Sequence, residues 1–350
     1  MTSAGKQTGQ AASMVQSVMP LITAYMPSRV VHIAAHLGLT DLLAEDPANS
    51  ETLALQTKTH PQALRRLLRA LASIGVVEQL DAHQFGLTAL GMQLRSNVPG
   101  SMRNMAMLFG SEREWRSWGE LLHSTRTGES GEKHVYGDGI FEYLAANPEQ
   151  ARIFNEAMAE ITRNASAVLI ANYDFSRYPK IVDVGGGNGA LLAGVLRATP
   201  DIRGAVFDLP SGVAEAARTL AAAGVADRCD VIAGDFFSNK VPEGADAYIL
   251  KNVIHDWDDY ASAAILKNCR SAMHESSKLL LMERVMPEIM KATPQHQRMA
   301  MADMNMLVFP GGQERTELDY RALCAGAGLA LRKTIAIENL DLSVIEVDPS

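Results

Sequence analysis

Short apolar runs alternate with helix-forming sequence throughout the carboxyl-terminal half of the chain, and this pattern restricts the possible folds more than any other feature. The apolar runs are residues 180–184, 204–208, 229–233, 247–250 and 278–282, followed by two further β-rich runs near 331–338 and 342–347. Helical sequence separates them, including an Ala-rich stretch at 212–223. Such alternation predicts a doubly wound α/β sheet that binds its ligands at the carboxyl ends of its strands.

The first of these runs leads directly into a glycine-rich segment, Asp183-Val184-Gly185-Gly186-Gly187-Asn188-Gly189. Glycines let a backbone approach a ligand closely, and the helix that follows offers free N–H groups at its N-terminus. The spacing Gly185-x-Gly187-x-x-Ala190 also satisfies the dinucleotide fingerprint, which has many false positives. The segment alone therefore predicts a cofactor site without identifying the cofactor.

Acidic residues follow the next two strands. Asp208 ends the second strand, where a carboxylate can accept both hydroxyls of a ribose. Asp235 and Phe236 come after the third strand, where an acid and an aromatic ring can hold an adenine. These two acids alone would suit NAD, but no second nucleotide half follows. The fourth strand runs instead into Lys251-Asn252-Val253-Ile254-His255-Asp256-Trp257-Asp258-Asp259.

The first third of the chain is helical and ends in a hairpin pattern. An amphipathic segment at 61–71 has Pro in its first turn, and strand-like runs follow at 76–80 and 84–88. Three short helices with a hairpin predict a winged-helix unit. Such units often bind DNA, but residues 1–120 carry about ten basic and nine acidic side chains, and the whole chain has a net charge of -8. We therefore expect an interface for dimerisation and no nucleic-acid partner.

Length and composition indicate a globular protein of two domains or more. The chain has 350 residues, 47% of them hydrophobic, and its three cysteines (Cys229, Cys269 and Cys324) lack the spacing of a zinc site. Scattered thiols fit a reducing compartment. Residues 1–12 are polar, without the layout of a signal peptide, and no stretch reaches the ~20 apolar residues of a membrane span. We therefore expect a soluble, cytoplasmic protein.

Between the two halves, residues 121–140 are rich in Gly, Ser and charge, above all at 125–139, and predict a loop, whereas 140–172 again predicts helix. We therefore expect a winged-helix-like domain at 1–115, connecting helices that line the substrate pocket at 116–177, and a cofactor domain at 178–350.

Five motifs, in order and with appropriate spacing, resemble one known family. They are residues 182–189, Phe207-Asp208-Leu209-Pro210, Gly234-Asp235-Phe236-Phe237, residues 250–259 and Pro310-Gly311-Gly312-Gln313-Glu314-Arg315-Thr316. The chain resembles the class I S-adenosylmethionine-dependent O-methyltransferases of the plant caffeate and bacterial natural-product type over nearly its whole length. The resemblance implies a Rossmann-like doubly wound methyltransferase domain, an N-terminal winged-helix dimerisation domain, a homodimer, and S-adenosylmethionine without a metal.

The resemblance also assigns roles to individual positions. It implies that Gly185 lies against the amino-acid end of the cofactor, that Asp208 holds the ribose hydroxyls, and that the adenosine is surrounded by Asp235, Phe236 and Lys251. It further implies that His255 is the general base, flanked by Glu283 and Glu314.

The chemistry requires residues of these types. A phenol has a pKa of about 10 and a free imidazole one of about 6.5, so proton loss should overlap with attack on the methyl group. A carboxylate beside the imidazole would raise its basicity, which Glu283 or Glu314 could do. Alternatively, the two acids are ion-pair partners of Arg284 and Arg315.

Two segments rich in Met and aromatic residues are expected to grip a flat apolar substrate. The candidates are Phe154, Met158 and Ile161 in a helix, and Met304, Asn305 and Phe309 near the end of another. Ile161 and Phe309 stand where the plant members of the family commonly carry His and Asn. A caffeate-like substrate is therefore disfavoured, and a larger aromatic or polycyclic secondary metabolite is predicted.

Three other functions stay open at this point. An amine nucleophile needs less help from a base, so an N-methyltransferase is a near rival. Some relatives of the family keep the fold and the cofactor but catalyse hydroxylation, decarboxylation or rearrangement. A winged-helix regulator that senses a small molecule without catalysis is the third alternative.

Overall fold

A computed structural model describes residues 18–238 and 241–350, apart from the side chain of Asn164. Residues 1–12, which lack the layout of a signal peptide, lie outside the described part of the chain. The chain divides into two compact units, the first ending at Met92 and the second running from Gln93 to Ser350. The domain boundaries expected at 115 and 178 stay predictions.

In its described residues, the first unit combines five helices with a small antiparallel sheet. Its helices are α1 (Met19–Ile22), α2 (Tyr25–His36), α3 (Leu39–Leu42), α4 (Ser50–Thr57) and α5 (Pro61–Ser73), and its strands are β1 (Ala48–Asn49), β2 (Val77–Gln79) and β3 (Gln84–Leu87). The strand order is β1-β3-β2. In α5, Leu64, Leu68 and Leu71 are buried at helical spacing, which is why this segment forms an amphipathic helix. The winged-helix prediction is confirmed.

The second unit contains eleven helices and nine strands among the described residues. Its helices are α6 (Arg103–Phe109), α7 (Glu112–Gly119), α8 (Leu121–Thr127), α9 (Gly131–Tyr136), α10 (Ile140–Ala146), α11 (Pro148–Asn172), α12 (Ala190–Ala198), α13 (Ala216–Ala222), α14 (Asp259–Ala272), α15 (Pro294–Val308) and α16 (Glu317–Gly326). Its strands are β4 (Lys180–Val184), β5 (Arg203–Asp208), β6 (Cys229–Ala233), β7 (Ala247–Lys251), β8 (Lys278–Glu283), β9 (Val285–Met286), β10 (Arg315–Thr316), β11 (Leu329–Ala336) and β12 (Ser343–Pro349). Short 3₁₀ turns cover Gly91–Leu94, Phe175–Arg177, Val213–Glu215, Ala226–Arg228 and Ile254–Asp256.

Seven of these strands form the central sheet, in the order β11-β12-β8-β7-β4-β5-β6. Strands β4 to β8 are parallel within it, while β12 runs antiparallel to both β8 and β11. The chain moves outward from β4 through β5 to β6 and then returns to the other side of β4 with β7. This reversal between β4 and β7 is the topological switch point at which open α/β sheets bind ligands. The predicted doubly wound sheet is confirmed, with an antiparallel pair at one edge.

The sheet is covered on both faces by apolar cores. Val182 and Val184 of β4 belong to one core, and Ile181 belongs to the other. The same alternation places Leu279 and Leu281 of β8 opposite Leu280 and Met282. Because successive side chains of a strand point to opposite faces, continuous apolar runs are needed when both faces are buried. This explains why the strands were predictable from short apolar runs.

One prediction about the connecting region is wrong. Residues 121–140 do not form a loop, since they contain the whole of α8 and of α9. The hydroxyl of Ser130 accepts a hydrogen bond from the backbone N–H of Lys133, which caps α9, and it donates to the carbonyl of Phe309 at 2.6 Å. A contact 179 residues away in sequence supports this helix, and a local pattern carries no sign of it. The helical prediction for 140–172 is confirmed by α10 and α11.

The cysteines and the hydropathy of the helices can be compared with what the composition predicted. All three cysteines are unpaired and buried. In the described residues, no helix combines the length and the apolar character that crossing a membrane requires.

Candidate active site

The residues predicted to bind cofactor and to catalyse gather at the carboxyl ends of the parallel strands. Gly185 follows β4, Asp208 ends β5, Asp235 and Phe236 follow β6, Lys251 ends β7, His255 lies in the next turn, and Glu283 ends β8. Glu314 immediately precedes β10, which pairs with β9 just after β8. Parallel strands bring their carboxyl ends to one edge, so residues distant in sequence share one site.

The glycine-rich loop has a backbone that few other residues could adopt. Gly185, Gly187 and Gly189 have φ angles of 73°, 54° and 75°, in the left-handed region that favours glycine. A Cβ on Gly185 would lie 2.7 Å from Val253, which leaves no room for a side chain. A Cβ on Gly187 would meet no atom within 4 Å among the described residues, so the loop borders open space there.

Asp208 fixes this loop to the end of β5. One of its oxygens accepts the backbone N–H of Gly187 at 2.8 Å, and the other accepts that of Leu209 at 2.6 Å. Burial raises the pKa of Asp208, and the two amide groups oppose that rise. Each carboxylate oxygen keeps one lone pair for a further donor.

Lys251 links the strand ends to α11. Its ammonium donates to the hydroxyl of Thr162 at 3.3 Å. Burial lowers the pKa of Lys251, while the carboxyls of Asp183 and Glu283 oppose that fall. Asp183 is itself buried, its Oδ2 has no hydrogen-bond partner among the described residues, and burial raises its pKa to about 7. Sequence reasoning missed Asp183 and Thr162, although Asp183 stands inside the first motif.

Aromatic rings lie beside the third strand end. The ring of Trp257 meets Phe236 and Phe237 edge-on, at centroid distances of 6.1 and 4.8 Å, and stacks with Phe141 at 5.7 Å. Asp235 is exposed next to them and accepts the backbone N–H of Phe237. Trp257 stands in the fourth motif, so its position could have been found from the motif. Phe141 lies outside the five motifs, so the sequence did not indicate its position beside Trp257.

His255 is 6% exposed and surrounded by carboxylates. Its Nδ1 lies 3.1 Å from Oε1 of Glu314 and 3.7 Å from Oε2 of Glu283, and its Nε2 lies 3.5 Å from Oδ1 of Asp256. A carboxylate only accepts hydrogen bonds, so Nδ1 carries the proton that faces Glu314. In the neutral imidazole, Nε2 is then the nitrogen with a free lone pair.

These carboxylates determine the basicity of His255. Burial by itself lowers the pKa of His255, but the charges of Glu283, Asp256 and Glu314 outweigh it and raise the pKa to about 9. Burial also raises the pKa of Glu283 to about 7 and that of Asp256 to about 6. For Glu314, the hydrogen bond from His255 and the guanidinium of Arg284 outweigh burial and lower its pKa.

Both acids are held by further donors. Oε1 of Glu283 accepts the backbone N–H groups of Val253 and Ile254, each at 2.9 Å. Oε1 of Glu314 also accepts from Arg284 at 2.8 Å, so this acid is an ion-pair partner as well as a neighbour of His255. Glu283 is buried and shares its cluster with the imidazole rather than with Arg315.

Arg315 instead anchors the turn that carries His255. It is buried and donates to the carbonyls of Ile254 and Trp257 and to the carboxylate of Asp259. The backbone N–H of Gln313 donates to the carbonyl of His255 at 2.9 Å. Two segments that are about 60 residues apart, 254–259 and 312–315, are therefore joined by hydrogen bonds. Arg315 had been considered only as a partner of an acid.

The side chains of His255, Glu283 and Glu314 are spaced like the ligands of a metal ion. Ligand atoms of His255, Glu283 and Glu314 lie within 4.8 Å of one another, close enough to hold an ion. However, the guanidinium of Arg284 already pairs with Glu314, and its positive charge would repel a cation. The metal-free site stays a prediction.

The predicted substrate residues lie on α11 and α15. Phe154, Met158, Ile161, Met304 and Asn305 are half-buried, and Phe309 is 8% exposed. The end of α15 is linked through the backbone to the turn that carries His255. The N–H of Gly312 donates to the carbonyl of Met306, and the N–H of Gln313 donates to the carbonyl of His255. Between the α11 and α15 candidates, the described residues show no hydrogen bond or ring contact. Sequence reasoning missed Trp118, whose indole N–H donates to Oδ1 of Asn305 at 3.1 Å.

Two family models match the chain. Residues 115–330 match the O-methyltransferase domain, and residues 19–96 match the O-methyltransferase dimerisation domain. The chain belongs to the O-methyltransferase family. The family, the two-part fold and the enzymatic class predicted from the five motifs are thereby confirmed.

Individual relatives are similar to this chain, in sequence and in structure, over nearly its whole length. The phenazine O-methyltransferase PhzM of Lysobacter antibioticus is 41% identical over 332 residues, which cover 95% of this chain and 95% of the relative. The crystal structure of LaPhzM has a TM-score of 0.90 and 40% identity, covering 95% of this chain and 98% of that one.

A further solved structure shows a relative with ligands. The O-methyltransferase NcsB1 from neocarzinostatin biosynthesis was solved with S-adenosylmethionine and 2-hydroxy-5-methyl naphthoic acid. It has a TM-score of 0.80 and 31% identity and covers 92% of this chain and 96% of that one. S-adenosylmethionine, the cofactor expected from the motifs, is the cofactor of this family.

Proposed function

We propose that this family member transfers a methyl group from S-adenosylmethionine to a hydroxyl of an aromatic or polycyclic secondary metabolite, with His255 as the general base. The named actions of its relatives support an aromatic substrate, since one acts on phenazines and another was solved with a naphthoic acid. The observation that carries the proposal is the Nδ1–Glu314 contact of 3.1 Å, because it leaves Nε2 free to accept a proton.

The residues at the strand ends fit S-adenosylmethionine. Bound there, the cofactor supplies an electrophilic methyl group on a sulfonium. The open space at Gly187 leaves room for a ligand against the loop. Asp208 keeps one lone pair on each oxygen, which matches the two hydroxyls of a ribose.

The remaining cofactor contacts are assigned by position. Gly185 would lie against the amino-acid end, and Asp235, Phe236 and Lys251 would surround the adenosine. The exposed carboxylate of Asp235 and the adjacent rings offer an acceptor beside an apolar face, which is what an adenine requires.

In this proposal, the pKa of His255 is close to the pKa of the phenol that it deprotonates. A free imidazole lies about 3.5 pKa units below a phenol, at about 6.5 against about 10. With a pKa of about 9, His255 lies within about one unit of the phenol. Glu314 and Glu283 are the positioning residues: Glu314 fixes the tautomer, and both carboxylates raise the basicity.

The walls of the substrate site come from α11 and α15. Phe154, Met158 and Ile161 would contact one side of a flat ring system, and Met304, Asn305 and Phe309 the other. Apolar side chains predominate in both sets, which favours ring systems larger than a single phenol.

We further propose that the protein is a homodimer formed through its first unit. The side chains on one stretch of α1 and α2 are 49% to 67% exposed and apolar, namely Val18, Met19, Leu21, Ile22, Tyr25 and Met26. A contiguous apolar patch of this kind marks an interaction surface, and it falls at the start of the segment that matches the dimerisation model.

The test combines product detection with calorimetry. Purified protein is supplied with S-adenosylmethionine and 1-hydroxyphenazine, and the methyl ether is measured by mass spectrometry. We expect His255→Ala to lower kcat by about 10²- to 10⁴-fold while the affinity for S-adenosylmethionine is kept. Asp208→Ala and Asp208→Asn should abolish that binding, and Asp230→Ala, which changes an exposed acid on β6, should not.

Each part of the proposal has its own contradicting result. Full activity of His255→Ala would remove the general base. Unchanged affinity in both Asp208 variants would remove the cofactor assignment. An oxidised or decarboxylated product without a methyl ether would favour the non-methylating chemistry known among relatives.

A further inference from the structure

The segment 311–314 folds back on α15, and each of its four backbone N–H groups has an acceptor. The first two donate to the carbonyl of Met306, at 2.9 and 3.1 Å, and the third donates to the carbonyl of His255 at 2.9 Å. The last, from Glu314, donates to Oδ1 of Asp303 at 2.8 Å. Three of the four hydrogen bonds therefore connect this segment to α15.

Asp303 differs from the other acceptors because its oxygen belongs to a side chain. The carbonyls of Met306 and His255 are present whatever residue occupies those positions, whereas a substitution can remove the carboxylate. Glu314 is only 7% exposed, so its backbone N–H would have little access to water if Asp303 were lost. An unpaired buried donor is costly. The main chain at Glu314 should therefore move when the Asp303 oxygen is removed.

Such a movement would separate the Glu314 carboxylate from the imidazole of His255. Oε1 of Glu314 lies 3.1 Å from Nδ1 of His255 and also accepts from Arg284 at 2.8 Å. Hydrogen bonds of this kind are lost beyond about 3.5 Å, so a displacement of about 0.5 Å is enough to break the contact with His255.

The charge of Asp303 is a separate quantity from its hydrogen bond. Burial raises the pKa of Asp303, the backbone N–H of Glu314 opposes that rise, the Glu314 carboxylate adds to it, and Arg315 opposes it. The main influences on the pKa of His255 are burial and the three carboxylates that surround it, and Asp303 is not one of these. An effect of Asp303 on His255 therefore has to pass through the position of Glu314.

We propose that Asp303 is a positioning residue, whose Oδ1 holds the main chain of Glu314 so that the Glu314 carboxylate faces Nδ1 of His255. This proposal rests on the proposed function, in which His255 is the general base. Asp303 directly precedes Met304 on the proposed substrate wall. One side-chain hydrogen bond thus links that wall to the base, and a substrate that shifts α15 would also shift Glu314.

Two variants separate the hydrogen bond from the charge. Asp303→Leu removes the acceptor, whereas Asp303→Asn keeps an oxygen acceptor and removes only the charge. The pKa of His255 is measured by NMR on protein labelled with ¹⁵N-histidine, and its signal is assigned by its absence in His255→Ala. We expect Asp303→Leu to lower this pKa from about 9 by about one, because a neighbouring carboxylate is displaced. Asp303→Asn should leave it in place.

The same variants should differ in their pH–rate profiles with 1-hydroxyphenazine. A lower pKa makes the neutral imidazole available at lower pH but weakens it as a base. In Asp303→Leu the rise of kcat/KM should therefore move down by about one pH unit, and its plateau should fall about threefold. Asp174→Leu is the matched control, because it removes a carboxylate that accepts the backbone N–H of Ser176 at 3.0 Å, and it should change neither measurement.

A double-mutant cycle tests whether Asp303 acts through Glu314. Asp303→Leu should lower the pKa of His255 in the wild-type background but change it little in Glu314→Gln, because the charge that Asp303 positions is already absent there. A merely structural role would change both backgrounds equally and would overturn the assignment. Asp303→Ser, whose shorter side chain does not reach the N–H, replaces Asp303→Leu if that variant does not fold.

The failures are distinguishable. A wild-type pKa of His255 in Asp303→Leu, or an equal fall in Asp303→Asn, overturns this inference and leaves the proposed function standing. If the pKa depends on Asp303 as expected but His255→Ala keeps full activity, the general base of the proposed function is overturned, and the link between Asp303 and the imidazole stands.

Discussion

At the scale of single residues, the carboxylates around His255 make its imidazole a stronger base. They also reduce the fraction of neutral imidazole, which is the form that can accept a proton. Burial favours the neutral imidazole, but the carboxylates of Glu283, Asp256 and Glu314 favour the cation and bring the pKa to about 9. Near neutral pH only about one imidazole in a hundred is then neutral, since each pKa unit is a factor of about ten. Proton transfer from the substrate is easier for that fraction than for an unperturbed imidazole.

A rate that rises with pH is the expected consequence. The neutral base is depleted below a pKa of about 9, so kcat/KM should increase from neutral pH up to about pH 9. Glu314→Gln removes a charge that stabilises the imidazolium, which lowers the pKa of His255. The rise should therefore move to lower pH, and the plateau should fall about tenfold because the base is weaker.

The measurement is a pair of pH–rate profiles with a control. Glu317→Gln makes the same change in an exposed ion pair with Arg321 on α16 and should leave the profile in place. A Glu314→Gln profile that coincides with the wild type would contradict the role given to this carboxylate.

The sequence predicted some residues of the site and not others. Motif order sufficed for His255 and Asp208, because each stands at a strand end of a recognisable pattern. Trp118 was missed, and Arg284 was considered only as an ion-pair partner of an acid. Their importance depends on partners brought close only by folding, and Trp118 meets Asn305 across 187 residues.

At the scale of elements, the turn that carries His255 is held by a second segment. Gly312 packs so tightly against this turn that a Cβ at that position would overlap the carbonyl of His255 and the backbone of Asp256. Together with the bonds from Arg315 and Gln313, this contact sets the position of the imidazole.

Gly312→Ala should therefore displace His255 without removing any catalytic group. We expect kcat to fall about 100-fold, the effect of misplacing a reacting group by about 1 Å. The affinity for S-adenosylmethionine, measured by calorimetry, should change little, since its proposed contacts are at other strand ends.

Gly326→Ala is the matched control for that substitution. It adds the same methyl group at the end of α16, where a Cβ would meet no described atom within 4 Å. Equal kcat values for Gly312→Ala and the control would show that the close contact does not position the base.

Helices and strands could be predicted where the residues that determine them lie within the element itself. The strands β4 and β6 coincide with their predicted ranges because short apolar runs are needed where both faces of a sheet are buried. The helix α9 was missed because Ser130 finds its partner in Phe309, at the far end of another element.

At the scale of the whole molecule, the two compact units have a different boundary from the domains that were expected from the sequence. The compact units separate between Met92 and Gln93, since α6 packs along α11 and so belongs with the larger unit. The domain boundary expected near residue 115 stays a prediction.

The proposed dimer gives a prediction at this scale. Leu21→Glu with Ile22→Glu places two charges in the apolar patch of α1 and should weaken association at least about 100-fold, because an unpaired buried charge is costly. Sedimentation equilibrium should then show monomers at concentrations where the wild type is dimeric.

Leu318→Glu is the control, because it places the same charge at an exposed leucine of α16 in the other unit. If the double variant stays dimeric with unchanged circular dichroism, the dimer forms through another surface.

The three buried thiols make the protein a good starting point for site-specific labelling. Burial raises the pKa of Cys229, Cys269 and Cys324 to about 12, and alkylating reagents attack the exposed thiolate. A cysteine introduced at Gln297 would be the fast-reacting thiol of the chain. A fluorophore attached there would test for ligand binding at the proposed α15 wall without first removing any native cysteine.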